Sequence, residues 1–176
     1  MIVHGKEFEA YISYESILER TNQIADQINL DYAGKRPLFL GVLNGVFMFA
    51  ADLMKGITLA AEISFIKLSS YQDTTSTENI KELIGLKENI KDKDIIIIED
   101  IIDTGETIVH VIKKLQELGP RSVEIATLLL KPEVFKKNIS LKYVGFKIPH
   151  KFVIGYGLDY NGQGRNLKDI YQIKEL

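Results

Sequence analysis

Residues 95–108 read IIIIEDIIDTGETI, four isoleucines followed closely by the carboxylates of Glu99, Asp100, Asp103 and Glu106. A short, unbroken run of β-branched residues predicts a strand that is buried on both faces, as in the middle of a parallel sheet. Carboxylates this close together repel one another unless a cation, a hydroxyl donor or a positive dipole compensates their charge. The stretch therefore predicts a central strand with a ligand site at its end.

The segments on both sides of this strand alternate between strand and helix patterns. Strands are predicted at 37–43, 61–69, 82–86, 95–98, 122–130 and 152–154, and helices at 46–55 and 108–115. A first helix is predicted to end near residue 29, with Ser16 and Glu19 as its capping pair. This alternation predicts a single α/β domain over 1–176, with a mostly parallel central sheet flanked by helices.

The composition limits the classes of partner. The 176 residues carry a net charge of -2 and include no cysteine, which argues against nucleic acid as the main partner and excludes disulfides and thiolate metal sites. No apolar run approaches the length needed to cross a bilayer, and the first residues, MIVHGKEFEA, lack the apolar stretch of a secretory signal. We expect a cytoplasmic protein that does not bind a membrane.

Glu99 and Asp100 are predicted at the carboxyl end of the central strand, where open α/β sheets bind their ligands. Two partners suit this many carboxylate oxygens. Magnesium prefers hard oxygen ligands and completes its shell with water and substrate oxygens. Sugar hydroxyls donate charge-assisted hydrogen bonds to carboxylates.

The next residues, Asp103-Thr104-Gly105-Glu106-Thr107, join the strand to a helix. Backbone amides and two hydroxyls converge there at the positive end of the helix dipole, which is typical of a phosphate site. Gly105 would permit a close approach of the backbone to the phosphate. The alternative is that these acids only cap the helix and solvate a loop; Asp103 in particular would suit a helix N-cap.

IIIIEDIIDTGETI resembles the phosphoribosyl pyrophosphate motif of the type I phosphoribosyltransferases, and its E-D-I-I-D-T-G form resembles the hypoxanthine-guanine branch. Further segments are similar to that family in the same order: Val42-Leu43-Asn44-Gly45 to its pyrophosphate loop, Lys67 with Ser70-Tyr71 to its catalytic loop, Leu130-Lys131 and residues 151–161 to its purine-binding segments, and Arg165 at the family's spacing. The resemblance implies the type I fold, including a small hood formed by the chain ends.

The resemblance also implies an activity: transfer of the 5-phosphoribosyl group from its pyrophosphate donor to a 6-oxopurine base. Glu99 and Asp100 would hold the ribose hydroxyls directly or through Mg²⁺. Asp103 would be the general base that takes a proton from the purine's five-membered ring, and the backbone amides of 104–107, which include Gly105 and Glu106, would bind the 5-phosphate.

Other matched residues would complete the site. Lys131 would bind the 6-oxo group and so reject adenine, Phe152 would stack on the base, and Val153 would offer backbone groups to the edge of the base. Asp159, in the purine-binding segment, would bind a second Mg²⁺, and Arg165 would clamp pyrophosphate. Taken alone, Lys131 and Arg165 could be solvated surface charges, Phe152 could be a core residue, and Asp159 could lie in a solvated turn.

The resemblance implies three further features. Residues 70–79, with Ser70 and Tyr71, would form a lid over the reaction, since this polar run has no periodicity. Asn44 of the pyrophosphate loop would follow a cis peptide at Leu43-Asn44. The family's usual assembly would be a homodimer or homotetramer.

Two residues depart from the family pattern. Asn44 stands where many members have lysine, and Glu106 stands where a basic or neutral residue is common, so that its side chain must point away from the phosphate. Two other functions stay open at this point: a regulator that only senses the donor, and a phosphoacceptor domain with an acidic pocket.

Overall fold

The computed structural model describes residues 1–70, 80–86 and 88–174, and of 69, 70 and 80–84 the backbone alone. The strands are β1 Ile2–Val3, β2 Lys6–Ile12, β3 Leu38–Leu43, β4 Glu62–Ser70, β5 Ile80–Ile84, β6 Asp94–Ile102, β7 Ser122–Leu130, β8 Tyr143–Lys147, β9 Val153–Ile154 and β10 Ile170–Ile173. The helices are α1 Tyr14–Asp31, α2 Phe47–Gly56 and α3 Glu106–Glu117.

In the part of the chain that the structure describes, the central sheet has six strands in the order β5-β4-β3-β6-β7-β8. Every neighbouring pair in it is parallel except β4 and β5, which are antiparallel. β4 lies on one side of β3, whereas β7 and β8 lie on the opposite side of the sheet, beyond β6. The boundary between β3 and β6 is therefore the topological switch point, where open α/β sheets form their ligand crevice.

β6 is buried on both faces, as its isoleucines predict. Ile96 and Ile98 pack with residues of α1 and α2, whereas Ile95 and Ile97 pack with residues of α3. All four isoleucine side chains are fully buried. At about 25 cal/mol per Å² of buried apolar surface, such side chains each contribute roughly 2 kcal/mol to folding, and this burial fixes the register of the strand that carries the acids.

A second, smaller sheet confirms the predicted hood. It has the order β1-β2-β10-β9 and is built mainly from the two ends of the described chain. Phe8 and Ile154 form its small apolar core. The sequence patterns missed β1, β2, β8 and β10, because these strands are short or largely exposed on one face and carry no long apolar run.

Several predicted boundaries were wrong. The side chain of Ser13 caps α1 by accepting a hydrogen bond from the amide of Ser16 at 3.3 Å, so Ser16 is inside the helix and not its cap. β6 continues to Ile102, which places Glu99 and Asp100 inside the strand and not after it. β5 begins two residues earlier than predicted, at Ile80. The predicted lid, including Tyr71 and the side chain of Ser70, lies outside the described residues.

None of the helices that the structure describes is both long and apolar enough to cross a bilayer.

Candidate active site

The segment after β3 and the end of β6 face each other across the switch point. Together with residues of the segment after β9 they enclose a cavity of about 300 Å³. Six of the ten residues predicted to bind the phosphoribosyl donor line it: Asn44, Gly45, Glu99, Asp100, Thr107 and Arg165. Asp159, the predicted ligand of a second Mg²⁺, also lines it, whereas the other four, Asp103, Thr104, Gly105 and Glu106, are not among its lining residues. The structure thus brings together residues from four separate stretches of the sequence.

The pyrophosphate loop lies very close to the acids. The peptide bond between Leu43 and Asn44 is cis, as the family resemblance implies. A Cβ on Gly45 would overlap the carboxylate of Asp100, so only glycine fits at this position. Asn44 is exposed beside it. The backbone of this loop can therefore approach a ligand bound at the acids.

Glu99 and Asp100 are the two acids of β6 that line the cavity. Burial raises the pKa of the Glu99 carboxyl well above its usual range, and the nearby charge of Asp100 adds to the shift. Burial also raises the pKa of Asp100 to about 6, although hydrogen bonds from backbone amides oppose this shift. One of those bonds is donated by the amide of Ile101 at 2.9 Å.

The second carboxylate oxygen of Glu99, Oε2, is buried, and no described residue donates a hydrogen bond to it. A buried carboxylate oxygen without a partner is costly. The atoms that could bind a metal at this position are hard carboxylate oxygens. They suit a magnesium ion, which would take its remaining ligands from water and substrate.

Asp159 does not form one cluster with these two acids. Its carboxylate pairs with the guanidinium of Arg165 at 2.6 Å and accepts a hydrogen bond from the amide of Gly162 at 2.7 Å. Arg165 also donates to the carbonyl oxygen of Gly157 at 2.8 Å. Among the described residues, no group of three or more acidic or histidine side chains is placed to hold a metal ion.

Asp103 lies just beyond β6, beside the end of β7. Its Oδ2 accepts a hydrogen bond from the ammonium group of Lys131 at 2.9 Å. Lys131 is buried, whereas the side chain of Asp103 keeps 41% of its surface exposed. The predicted base and the predicted purine-binding lysine are thus direct neighbours. Sequence patterns gave no sign of a third member of the group, His150, whose Nδ1 lies 3.7 Å from Oδ1 of Asp103.

The predicted phosphate loop begins α3. Gly105 has a φ of 85° and serves as the N-cap residue without a side-chain cap, so the first amides of α3 have no capping side chain. Thr104 and Glu106 are exposed and Thr107 is half-buried. The carboxylate of Glu106 pairs with the ammonium group of Lys137, a neighbour that the sequence did not predict.

The predicted purine-binding aromatic lies at the edge of the hood. Phe152 is 44% exposed, and its ring meets that of Tyr160 edge-on with 5.4 Å between the centroids. The adjacent Val153 is buried in β9. An exposed ring face held by aromatic neighbours is available for stacking.

The predicted purine-binding segment, residues 151–161, is anchored to α2 through Tyr156. The hydroxyl of the buried Tyr156 donates to Asp52 at 2.7 Å, and Lys55 donates to the other oxygen of Asp52 at 2.7 Å. Tyr156 has a φ of 47° between two glycines that also have positive φ. In the sequence this anchor is only a tyrosine between two glycines. That pattern did not predict the contact, because Asp52, the partner of Tyr156, lies far away in α2.

Comparison with known proteins supports the family resemblance found in the sequence. Residues 13–161 match the model of the phosphoribosyl transferase domain. The hypoxanthine-guanine phosphoribosyltransferase of Streptococcus mutans is 43% identical over 164 residues, which cover 93% of this chain and 91% of that protein. The enzyme of the same name from Staphylococcus aureus strain Mu50 is 40% identical over 173 residues, 98% of this chain and 97% of that protein.

A crystal structure of a hypoxanthine-guanine phosphoribosyltransferase from Bacillus anthracis superposes with a TM-score of 0.90 at 38% identity, covering 96% of this chain and 100% of that chain. Its similarity extends over the hood as well as the central sheet, because the coverage is nearly complete. The chain therefore belongs to the hypoxanthine-guanine phosphoribosyltransferases, within the larger family that shares the phosphoribosyl transferase domain.

Proposed function

We propose that this protein is a purine salvage enzyme that transfers the 5-phosphoribosyl group from phosphoribosyl pyrophosphate to hypoxanthine, guanine or both, releasing the purine nucleotide and pyrophosphate. The observation that carries this assignment is the pair of adjacent acids, the buried Glu99 and the partly buried Asp100, at the switch point opposite the cis-peptide loop. Buried carboxylates whose pKa values are raised bind a cation or hydroxyl donors strongly once these arrive.

The donor would bind across the cavity with its charged groups distributed among three segments. Its ribose hydroxyls would meet Glu99 and Asp100, its 5-phosphate would meet the backbone amides at the start of α3, and its pyrophosphate would face Gly45 and Arg165. The uncapped amides of α3 support the phosphate assignment, since a helix N-terminus attracts anions. Arg165 would exchange its contact with Asp159 for pyrophosphate, a bidentate partner that guanidinium groups favour.

Mg²⁺ would be held by Glu99 and Asp100, with Asp159 on the pyrophosphate side for a second ion. When bound, it would supply positive charge that offsets the charge of the leaving pyrophosphate. The separation of Asp159 from the other two acids supports two sites completed by substrate oxygens rather than one site made only of protein groups.

The purine would bind between Phe152 and Lys131, with backbone groups of Val153 at its edge. Lys131 has donors but no acceptor, so its ammonium group would favour a 6-oxo group over the 6-amino group of adenine. Asp103 would take the proton from a ring nitrogen as that nitrogen bonds to the anomeric carbon. The C–O bond to pyrophosphate breaks in the same reaction, and its electron pair leaves with pyrophosphate. The direct contact between Asp103 and Lys131 supports this joint role.

A steady-state assay of four bases with Mg²⁺ and the donor tests the proposal. We expect turnover of hypoxanthine, guanine or both, no turnover of adenine, and loss of activity when a chelator removes the metal. Equal rates with adenine, or no transfer to any base, would refute it. Light scattering tests whether the protein forms the homodimer or homotetramer that the family resemblance predicts, and cell fractionation tests the predicted cytoplasmic location.

A further inference from the structure

The two carboxylate oxygens of Asp103 have different surroundings. Oδ2 bonds to Lys131 at 2.9 Å. Oδ1 is buried, and no described residue donates a hydrogen bond to it, although the side chain as a whole is 41% exposed. The exposed surface of the side chain is therefore not that of Oδ1. A purine would reach Asp103 from the side of Oδ2, and Oδ1 would lie behind the reacting oxygen.

His150 is the polar group next to this rear oxygen. Its Nδ1 lies 3.7 Å from Oδ1, slightly longer than a hydrogen bond, and its side chain is 56% exposed. A movement of about 0.5–1 Å would bring Nδ1 to normal hydrogen-bond distance. The backbone amide of His150 is held by the carboxylate of Glu133 at 3.3 Å, so the residue is fixed at the main chain while its ring can make this adjustment.

The proposed function suggests a role for His150 beside Asp103. Lys131 balances the charge of Asp103 when no purine is present, but in the reaction it would also bind the 6-oxo group. Its contact with Asp103 would then be shared or lost. A carboxylate that loses its only hydrogen-bond partner is free to rotate, and a general base must stay in hydrogen-bond reach of the proton it takes.

We infer that His150 is a positioning residue for the general base: the Nδ1–H of its imidazole donates to Oδ1 of Asp103 and keeps Oδ2 directed at the purine. This inference rests on the proposed function. It assigns His150 no contact with the substrate, and the proton taken from the purine goes to Asp103 and not to the imidazole.

Two variants test the orientation. His150→Asn places an amide N–H near the position of Nδ1, whereas His150→Ala removes the donor. Single-turnover rates are measured at pH 8 with saturating donor and Mg²⁺. His110→Gln serves as the control, since it also removes an imidazole but on α3.

We expect the His150→Asn variant to keep the wild-type rate at pH 8 within about twofold, because its amide replaces the donor. His150→Ala should be slower at pH 8 by about fivefold, the value of one hydrogen bond. His110→Gln should behave as the wild type.

An equal loss of rate in His150→Asn and His150→Ala, or an unchanged rate for His150→Ala, would overturn the inference while leaving the proposed function intact. Absence of transfer by the wild-type protein would instead refute the proposed function. Because the side chain of His150 is more than half exposed, urea unfolding of the two His150 variants should match the wild type and so exclude misfolding as the cause of any rate change.

Discussion

The carbonyl oxygen of Gly45 occupies the space that a Cβ on Gly157 would need. Gly45 is itself pressed against the carboxylate of Asp100, and the carbonyl of Gly157 accepts a hydrogen bond from Arg165. The pyrophosphate loop, the acidic strand end and the segment after β9 are therefore in direct contact at the switch point. Each of these contacts involves the backbone of Gly45 or Gly157. The position of one segment therefore constrains the other two.

Gly157→Ala is expected to damage this contact. The new methyl group would overlap the backbone of Gly45, and alanine at a φ of 100° is strained as well. We expect the KM for the donor to rise at least tenfold and the unfolding free energy to fall by about 2–4 kcal/mol. Donor titration and urea unfolding measure the two effects.

The control for this variant is Gly162→Ala. Gly162 has a φ of 84°, but a Cβ there would meet nothing within 4 Å. This substitution should cost only the backbone strain, about 1–2 kcal/mol, and should leave the KM for the donor nearly unchanged. If both variants behaved alike, the overlap with Gly45 would have no functional importance.

Asp100→Asn is expected to stabilise the protein without substrates while abolishing donor binding. Burial raises the pKa of Asp100 from 3.8 to about 6, so folding favours the protonated carboxyl. The stabilisation from this group is complete below the unfolded-state pKa and is lost as the pH rises through about 6. At pH 7.5 the ionised side chain therefore costs up to about 3 kcal/mol, an upper limit because part of the residue is accessible to water.

Urea unfolding at two pH values checks this prediction. The asparagine variant should be more stable than the wild type at pH 7.5, and near pH 5 the difference should shrink to about half, because the wild-type carboxyl is then largely protonated in the folded protein. A variant that is less stable than the wild type at pH 7.5 would show that the hydrogen bonds to Asp100 outweigh its desolvation.

Much of the fold could be predicted because its core strands are long and apolar. The boundaries of β7 agree with the prediction, and those of β3 and β4 agree to within one residue at each end. The strand β6 was predicted too short, since Glu99 and Asp100 are polar residues that interrupt its apolar run before Ile101 and Ile102. Their placement inside a buried strand is what raises their pKa values, so the error falls on the two acids predicted to bind the ribose.

The candidate site was predictable only where a motif spans it. Glu99, Asp100 and Asn44 were found from two short motifs, and the structure places all three around one cavity. His150 and Lys137 were missed, because each lies in a loop outside any motif and its acidic partner lies more than 30 residues away in the chain. Such contacts depend on how loops fold over the sheet, which periodicity does not describe.

The ion pair between Glu106 and Lys137 explains how an acidic residue can stand in the predicted phosphate loop. Lys137 holds the Glu106 carboxylate, and its aliphatic chain lies against Gly105 at the start of α3. We expect Lys137→Met to raise the KM for the donor about five- to tenfold, because the released Glu106 would repel the 5-phosphate. Stability should hardly change, since exposed ion pairs contribute little.

Lys136→Met is the matched control, since it removes the same charge at an exposed neighbouring position. The double variant Glu106→Gln with Lys137→Met should recover most of the lost affinity, because the repelling carboxylate is then absent. Failure of the double variant to recover affinity would mean that Lys137 contacts the phosphate itself.

Asp103→Asn is expected to separate chemistry from binding. The amide cannot accept the purine proton, so turnover should fall about 100-fold or more, the scale of a lost general base. Donor binding should persist, because Glu99, Asp100 and Arg165 are unchanged. The buried ammonium group of Lys131 would lose its charged partner, which should lower the unfolding free energy by about 1–3 kcal/mol.

Lys131→Met in the same assays distinguishes the two members of this pair. It should leave the general base in place and lower turnover less than Asp103→Asn does, while raising the KM for the oxopurine, whose 6-oxo group loses its donor. Turnover of Asp103→Asn close to that of the wild type would remove Asp103 from the role of base, and the proton would then have to leave the purine by another route.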